Sequence, residues 1–119
     1  MKIFYHSNDS RTAEAIRQLC SDLGLECSVT GPGFLDMKLS EIVAGKKPSG
    51  TQPVIAAVPD HIIFSGDVPG KLDTFLDAYR KRGIKRIGRK AVVTVHNLSW
   101  TLRELLKELG REEKALGRK

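Results

Sequence analysis

The stretch AVVTVHNLSWTLRELLKELG, residues 91–110, joins an apolar run to a helical pattern through a short polar turn. Residues 91–95 are apolar enough for a strand in the middle of a sheet. Leucines then recur at positions 102, 105, 106 and 109, which is the spacing of one face of a helix. The stretch therefore predicts a β-strand followed directly by an α-helix.

The same alternation extends through the rest of the chain. Strands are predicted at residues 2–6, 25–30, 53–59 and 91–95, and residues 61–66 are either a further strand or an irregular continuation. Helices are predicted between them, and they end at Gly24, Gly45, Gly83 and Gly110. This order predicts one α/β layered domain over residues 1–110, with a four- or five-stranded, mainly parallel sheet flanked by helices. Residues 111–119 read as a basic, flexible C-terminal tail, and no internal repeat is visible.

Composition places the chain among cytoplasmic proteins. Its 119 residues suit one domain. No apolar stretch approaches the roughly 18 residues of a membrane span, and the N-terminal apolar run is too short for a signal peptide. Cys20 and Cys27 do not form a C-x-x-C motif, so buried free thiols in a reducing compartment are expected.

A local motif accounts for the start of the last helix. The sequence from Thr101 to Glu104 fits a capping box, in which each residue hydrogen-bonds the backbone amide of the other. Trp100 then precedes the cap and Leu105 lies in the first turn, which is the pairing of a hydrophobic staple. The sequence thus predicts a structural corner at Trp100, Thr101 and Glu104.

Polar residues follow both the first and the last predicted strand. The carboxyl ends of parallel strands share one edge of a sheet, where open α/β sheets bind ligands. The predicted ligand-binding residues at this edge are His6, Ser7, Asn8, His96, Asn97 and Ser99. The two histidines would there form a metal-binding or catalytic pair, but no ligand-spaced motif accompanies them, so no metal or cofactor is predicted. Asn97 also has a simpler interpretation, favoured here, as a residue that turns the chain.

The positive charge of the chain is concentrated in one segment. The chain has 20 basic and 14 acidic residues, and the basic segment RKRGIKRIGRK, residues 80–90, holds seven of the basic residues and no acid. Cations at a helix C-terminus complement the helix dipole, which accounts for residues 80–82. That account does not extend to the rest of the segment. The residues predicted to bind a polyanion such as nucleic acid are Arg82, Lys85, Arg86, Arg89 and Lys90.

The second half of the chain resembles a known family. Residues 90–94 (KAVVT), Asn97, Trp100, Thr101 and the leucine-rich residues 105–109 (LLKEL) are similar to the signature of a bacterial domain-of-unknown-function family, number 3783. The resemblance covers about the last half of the chain. It implies no activity, cofactor or substrate.

Three functional hypotheses follow from the sequence. The leading one is a small cytoplasmic binding or protein-interaction module without catalysis, whose partner is a protein or a small-molecule ligand. The first alternative is an enzyme or phosphocarrier that uses His6 or His96. The second alternative is a domain that binds nucleic acid or another polyanion through the basic segment.

Overall fold

The backbone forms one mixed sheet between two layers of helices. The computed structural model describes residues 1–48, 58–66 and 70–116, with side chains as far as residue 111. Within these residues the strands are β1 (Lys2–His6), β2 (Glu26–Val29), β3 (His61–Ser65) and β4 (Lys90–Val92). The helices are α1 (Ser10–Asp22), α2 (Leu39–Val43), α3 (Lys71–Lys81) and α4 (Leu102–Leu116), and a 3-10 turn spans Pro32–Phe34.

The sheet has the order β2-β1-β3-β4 and is mixed. β1 pairs with β2, and β3 pairs with β4, in parallel, whereas β1 and β3 pair antiparallel at the centre. The predicted α/β domain is confirmed, and a mainly parallel sheet is right for two of the three pairings. The antiparallel pair was not predicted because an apolar run such as residues 61–64 carries no sign of its direction in the sheet.

Two apolar clusters fill the spaces between the sheet and its helices. Alternate residues of β1 and β3 point to opposite faces, as the pleat of a strand requires. Ile3 and Ile62 face α1 and α3 and form one cluster with the fully buried Phe75 of α3. Phe4 and Ile63 face α2 and α4. The result is a single α/β domain with three layers.

Of the two alternatives predicted for residues 61–66, the strand is the one observed, and it is the most buried strand of the sheet. All five residues of β3 are buried. The predicted strand at residues 53–59 lies mostly outside the described residues, and Val58 at its end is buried. The central position of β3 explains its uninterrupted apolar character.

The predicted helix ends are right for α1 and α3 but wrong for α4. Gly24 and Gly83 follow α1 and α3 with φ angles of +68° and +66°, the left-handed conformation that ends a helix. Gly110 instead lies inside α4, which continues to Leu116. A Cβ at Gly110 would lie 2.9 Å from Nη2 of Arg89, so this glycine leaves room for a side chain that packs against the helix. The described part of the predicted tail is therefore helical as far as Leu116.

Candidate functional site

The two histidines that follow β1 and β4 lie at opposite ends of the sheet. His6 pairs with His61 at the start of β3, whereas Val92 at the end of β4 pairs with Phe64 near the end of β3. Because β1 and β4 run in opposite directions, the residues after Val92 leave the sheet at the end away from His6. The shared edge, and with it the histidine pair, was therefore a wrong prediction. His6, Ser7 and Asn8 stay together at one end, and the group of His96, Asn97 and Ser99 lies at the other.

The end of the sheet at which β1 finishes is held together by a carboxylate, Asp60, that no sequence pattern indicated. Asp60 accepts hydrogen bonds from the Ser7 hydroxyl (2.8 Å) and from the backbone amide (2.8 Å) and side-chain amide (3.0 Å) of Asn8. Asn8 also donates to the carbonyl oxygen of Val58 at 2.8 Å. Partial burial acts to raise the pKa of Asp60, but these hydrogen bonds outweigh it and the pKa is lowered. Ser7 and Asn8 therefore hold the β1–α1 turn against the start of β3.

At the same end of the sheet, His61 is a structural residue buried in the core. Its side chain is fully buried. Nδ1 lies 2.9 Å from the carbonyl oxygen of Pro59 and must donate, so Nε2 accepts from the hydroxyl of Thr30 at 2.7 Å. Burial lowers the pKa of His61 to about 4, with a smaller effect from His6. The neutral ring has both nitrogens occupied, and this leaves no nitrogen free for proton transfer.

His6 is the accessible member of this pair of rings. Its ring stacks on His61 with centroids 5.9 Å apart and planes inclined by 28°. Nε2 of His6 lies 3.3 Å from Oδ1 of Asn8. The contacts of His6 are thus those of a residue that covers the buried His61, and the arrangement places no second accessible histidine beside it.

The first three cations of the basic segment are held by acidic residues. Arg80 and Lys81 pair with Asp77 at 3.3 and 3.0 Å. Arg82 pairs with Asp22 of α1 at 2.8 Å and so links α3 to α1. These cations serve contacts within and between helices, so Arg82 is a weaker candidate for a partner than its position in the sequence suggested.

The later cations lie at the end of the sheet where β1 ends, and two of them face solvent. Lys85 and Arg86 are exposed, and no ion pair within the described part of the chain involves either. Lys85 is near enough to Asp9 and Asp60 to contribute to the lowered pKa of each. Burial, and then the charge of Arg86, lower the pKa of Lys90. Positive charges are therefore close enough to repel one another on this surface.

The core anchors the loop that carries these cations. Ile87 is 2% exposed and packs with the cluster beneath α1 and α3. The hydroxyl of Tyr79 donates to the carbonyl oxygen of Lys85, and the ammonium of Lys90 lies 5.8 Å from the centre of the Tyr79 ring. Arg89 turns towards Gly110 on the other face of the sheet. Lys85 and Arg86 thus project from a loop of fixed shape.

At the opposite end of the sheet, Asn97 turns the chain. Its Oδ1 accepts from the backbone amide of Thr94 at 2.8 Å, and its Nδ2 donates to the carbonyl oxygen of Val92 at 3.2 Å. His96 and Ser99 beside it are exposed. The side chain of Asn97 uses both its acceptor and a donor within the turn, which supports the turn interpretation.

The predicted corner at the start of α4 is confirmed. The amide of Glu104 donates to Oγ1 of Thr101 at 3.2 Å, and the amide of Thr101 donates to Oε1 of Glu104 at 3.0 Å. Trp100 packs against the apolar cluster that contains Leu105. This corner needs no ligand to explain its residues.

A cavity of about 310 Å³ opens on the α2 face of the sheet. It lies beside β1 and β2, and no residue predicted to bind a ligand lines it. Its walls combine aromatic and aliphatic side chains with lysines: Phe4, Phe34, Ile42, Lys2, Lys46 and Lys47. No sequence motif marks it, because its lining comes from three separate stretches of the chain.

The described residues include neither a candidate metal site nor a membrane-spanning helix. Residues 1–48, 58–66 and 70–116 contain no group of three or more histidine, cysteine, aspartate or glutamate side chains suited to a metal ion. The helices formed by these residues include none that is long and apolar enough to cross a membrane.

Comparison with known proteins identifies one half of the chain. No curated protein and no solved structure matches the chain. Residues 60–116, which comprise β3, α3, β4 and α4, match the model of a family described as "Domain of unknown function (DUF3783)". The resemblance drawn from residues 90–109 is thereby confirmed. This part of the chain is therefore similar to the DUF3783 family.

Proposed function

We propose that the chain is a binding module without catalysis, and that its basic loop, residues 84–90, holds a polyanion such as the phosphate backbone of a nucleic acid. The observation that carries the proposal is the contrast within the basic segment. Arg80, Lys81 and Arg82 form ion pairs with acidic residues, whereas Lys85 and Arg86, on an anchored loop, form none within the described part of the chain. Ordered cations of this kind are suited to phosphate contacts.

The titratable groups at the same end support binding over catalysis. Asp60 is engaged by Ser7 and Asn8, and His61 is engaged by Thr30 and Pro59. A general acid or base needs an unoccupied atom that faces the substrate. His6 is the accessible histidine at this end of the sheet, so the enzyme or phosphocarrier alternative rests here on His6.

The expected affinity is modest and depends strongly on salt. With two or three phosphate contacts, the slope of log K against log salt should be about −2 to −3 for duplex DNA. The dissociation constant should lie in the roughly 10⁻⁴ to 10⁻⁶ M range of non-specific binding. No exposed aromatic side chain accompanies Lys85 and Arg86 in the loop, so little preference for base sequence is expected.

Fluorescence anisotropy with a labelled 20-base-pair duplex, titrated at 20 and 150 mM salt, tests the proposal. The double variant K85S/R86S should lose at least tenfold in affinity. The matched control R80S/K81S removes the same charge from the same segment, at residues paired with Asp77, and should lose much less. Equal losses in both variants would indicate a response to net charge alone, and no binding by the unmodified protein at 20 mM salt would remove the proposal.

A cytoplasmic location is part of this proposal. Cys20 is buried and Cys27 partly buried, and both are free thiols, a state that persists in reducing compartments. Cell fractionation followed by immunoblotting tests the location, and recovery in a secreted or envelope fraction would contradict it.

A further inference from the structure

The order of elements in the chain repeats. The first unit, residues 1–48, contains β1, α1, β2 and α2, and the second unit, residues 58–116, contains β3, α3, β4 and α4. Each unit forms a parallel strand pair, and the two pairs meet through β1 and β3. In both units the first helix covers one face of the sheet and the second helix covers the other. A twofold axis between β1 and β3 would exchange the units.

The contacts between the two units are arranged symmetrically about this axis. Lys38 and Thr101, which directly precede α2 and α4, form an isolated antiparallel bridge. Beside it, four backbone hydrogen bonds form two reciprocal pairs. In the first pair, the amide of Leu39 donates to the carbonyl of Trp100 (2.8 Å), and the amide of Leu102 donates to the carbonyl of Met37 (3.0 Å). In the second pair, the amide of Ser40 donates to the carbonyl of Leu98 (3.0 Å), and the amide of Arg103 donates to the carbonyl of Leu35 (2.9 Å). Exchange of the units converts one member of each pair into the other. The first pair belongs to the antiparallel bridge, which is reciprocal between any two strands. The second pair lies outside the ladder pattern, so its reciprocity is the evidence for the axis.

Local features repeat at equivalent places. The sequences LDMKLSEIV (residues 35–43) and LSWTLRELL (residues 98–106) share both leucines and the glutamate at their first, fifth and seventh positions. In each, this glutamate accepts from the amide of the residue before the helix, Lys38 to Glu41 at 2.9 Å and Thr101 to Glu104 at 3.0 Å. Only three of the nine residues are shared, so the repeat is not visible in the sequence.

The units differ mainly by an insertion and a helix length. A single residue, Leu25, separates Gly24 from β2, whereas residues 84–89 separate Gly83 from β4. The basic loop is therefore an addition to the second unit. In the first unit α2 has 5 residues, against 15 for α4.

We infer that residues 1–48 are a diverged second copy of the unit that the family model matches, and that the surface formed by β3 and residues 98–103 is a pairing surface for another unit of this kind. In this chain the first unit is that partner. A unit by itself would leave the buried, apolar β3 with an unpaired edge, and two-stranded sheets are marginally stable in water. Because the two units use equivalent surfaces, the second unit should also pair with a copy of itself.

A nicked full-length protein tests this inference. A protease site inserted between residues 48 and 58 is cut after folding, the nicked protein is unfolded and refolded, and native mass spectrometry identifies the pairs. The expected products are the mixed pair and a pair of two second-unit fragments. In the control, a cut inside residues 84–89 splits the second unit and should yield the mixed pair alone. Recovery of only the mixed pair from the first cut would overturn the inference.

A segment replacement in the intact chain tests the inference if the fragments fail to refold. Residues 35–43 are replaced by the sequence of residues 98–106, so that both sides of the axis carry the same corner. The twofold relationship predicts that this protein keeps the oligomeric state of the original and melts in one cooperative transition within a few degrees of it. Loss of cooperative melting would overturn the inference.

Discussion

The hydroxyl of Thr30 donates a hydrogen bond of 2.7 Å to Nε2 of His61, and both side chains are fully buried. The contact joins the residue after β2 to the first residue of β3, across the end of β1 that lies between them. The bond requires a neutral imidazole, because a protonated ring would have no acceptor for the hydroxyl. Burial of the ring favours the same neutral form and lowers the pKa of His61 to about 4.

This depressed pKa predicts a loss of stability in mild acid. Between pH 6.5 and 4 the unfolded chain binds a proton at residue 61 that the folded protein does not bind, so the free energy of unfolding falls as the pH falls. The full loss corresponds to about 3 kcal/mol. Urea denaturation at pH 7.0, 5.5 and 4.5 measures it. H61N should be less stable at pH 7 but should lack most of this slope, and an equal slope in both proteins would assign the effect to other groups.

Asp60 should be among the residues whose loss most weakens the fold without touching the core. D60A removes the acceptor of three hydrogen bonds from Ser7 and Asn8, so we expect a loss of about 2–3 kcal/mol in the free energy of unfolding. D36A is the matched control, because Asp36 forms an exposed ion pair with Arg103 and its loss should cost below about 1 kcal/mol. Similar small losses would show that the Asp60 contacts add little to stability.

The sequence predicted what depends on neighbours in the chain and missed what depends on strand direction. The Thr101–Glu104 capping box and the glycine after α3 are local, and both were correct. The shared site of His6 and His96 needed parallel β1 and β4, which the central antiparallel pair rules out. Asp60 escaped notice because its partners lie 52 and 53 residues away. The repeat was hidden because its symmetry resides mainly in backbone hydrogen bonds.

Asn97 should contribute to stability through its turn. N97A removes the acceptor for the amide of Thr94 and the donor to Val92, and we expect a loss of about 1–2 kcal/mol. S99A, at an exposed neighbour, should change stability by less than about 0.5 kcal/mol. Chemical denaturation of the two variants measures the difference. Unchanged stability in N97A would revive the interpretation that its side chain is kept for a ligand.

The pseudo-twofold axis also predicts a substitution that stabilises the protein. Lys38 has the extended backbone of a residue before a helix, but its side chain has no oxygen to accept an amide of the first turn. Thr101, its equivalent, accepts the amide of Glu104. K38T should therefore raise the free energy of unfolding by about 0.5–1 kcal/mol. The control K46T makes the same change at an exposed lysine outside the helices and should have little effect. Thermal and urea denaturation measure both variants, and a K38T protein no more stable than K46T would mean that the two helix starts are not equivalent.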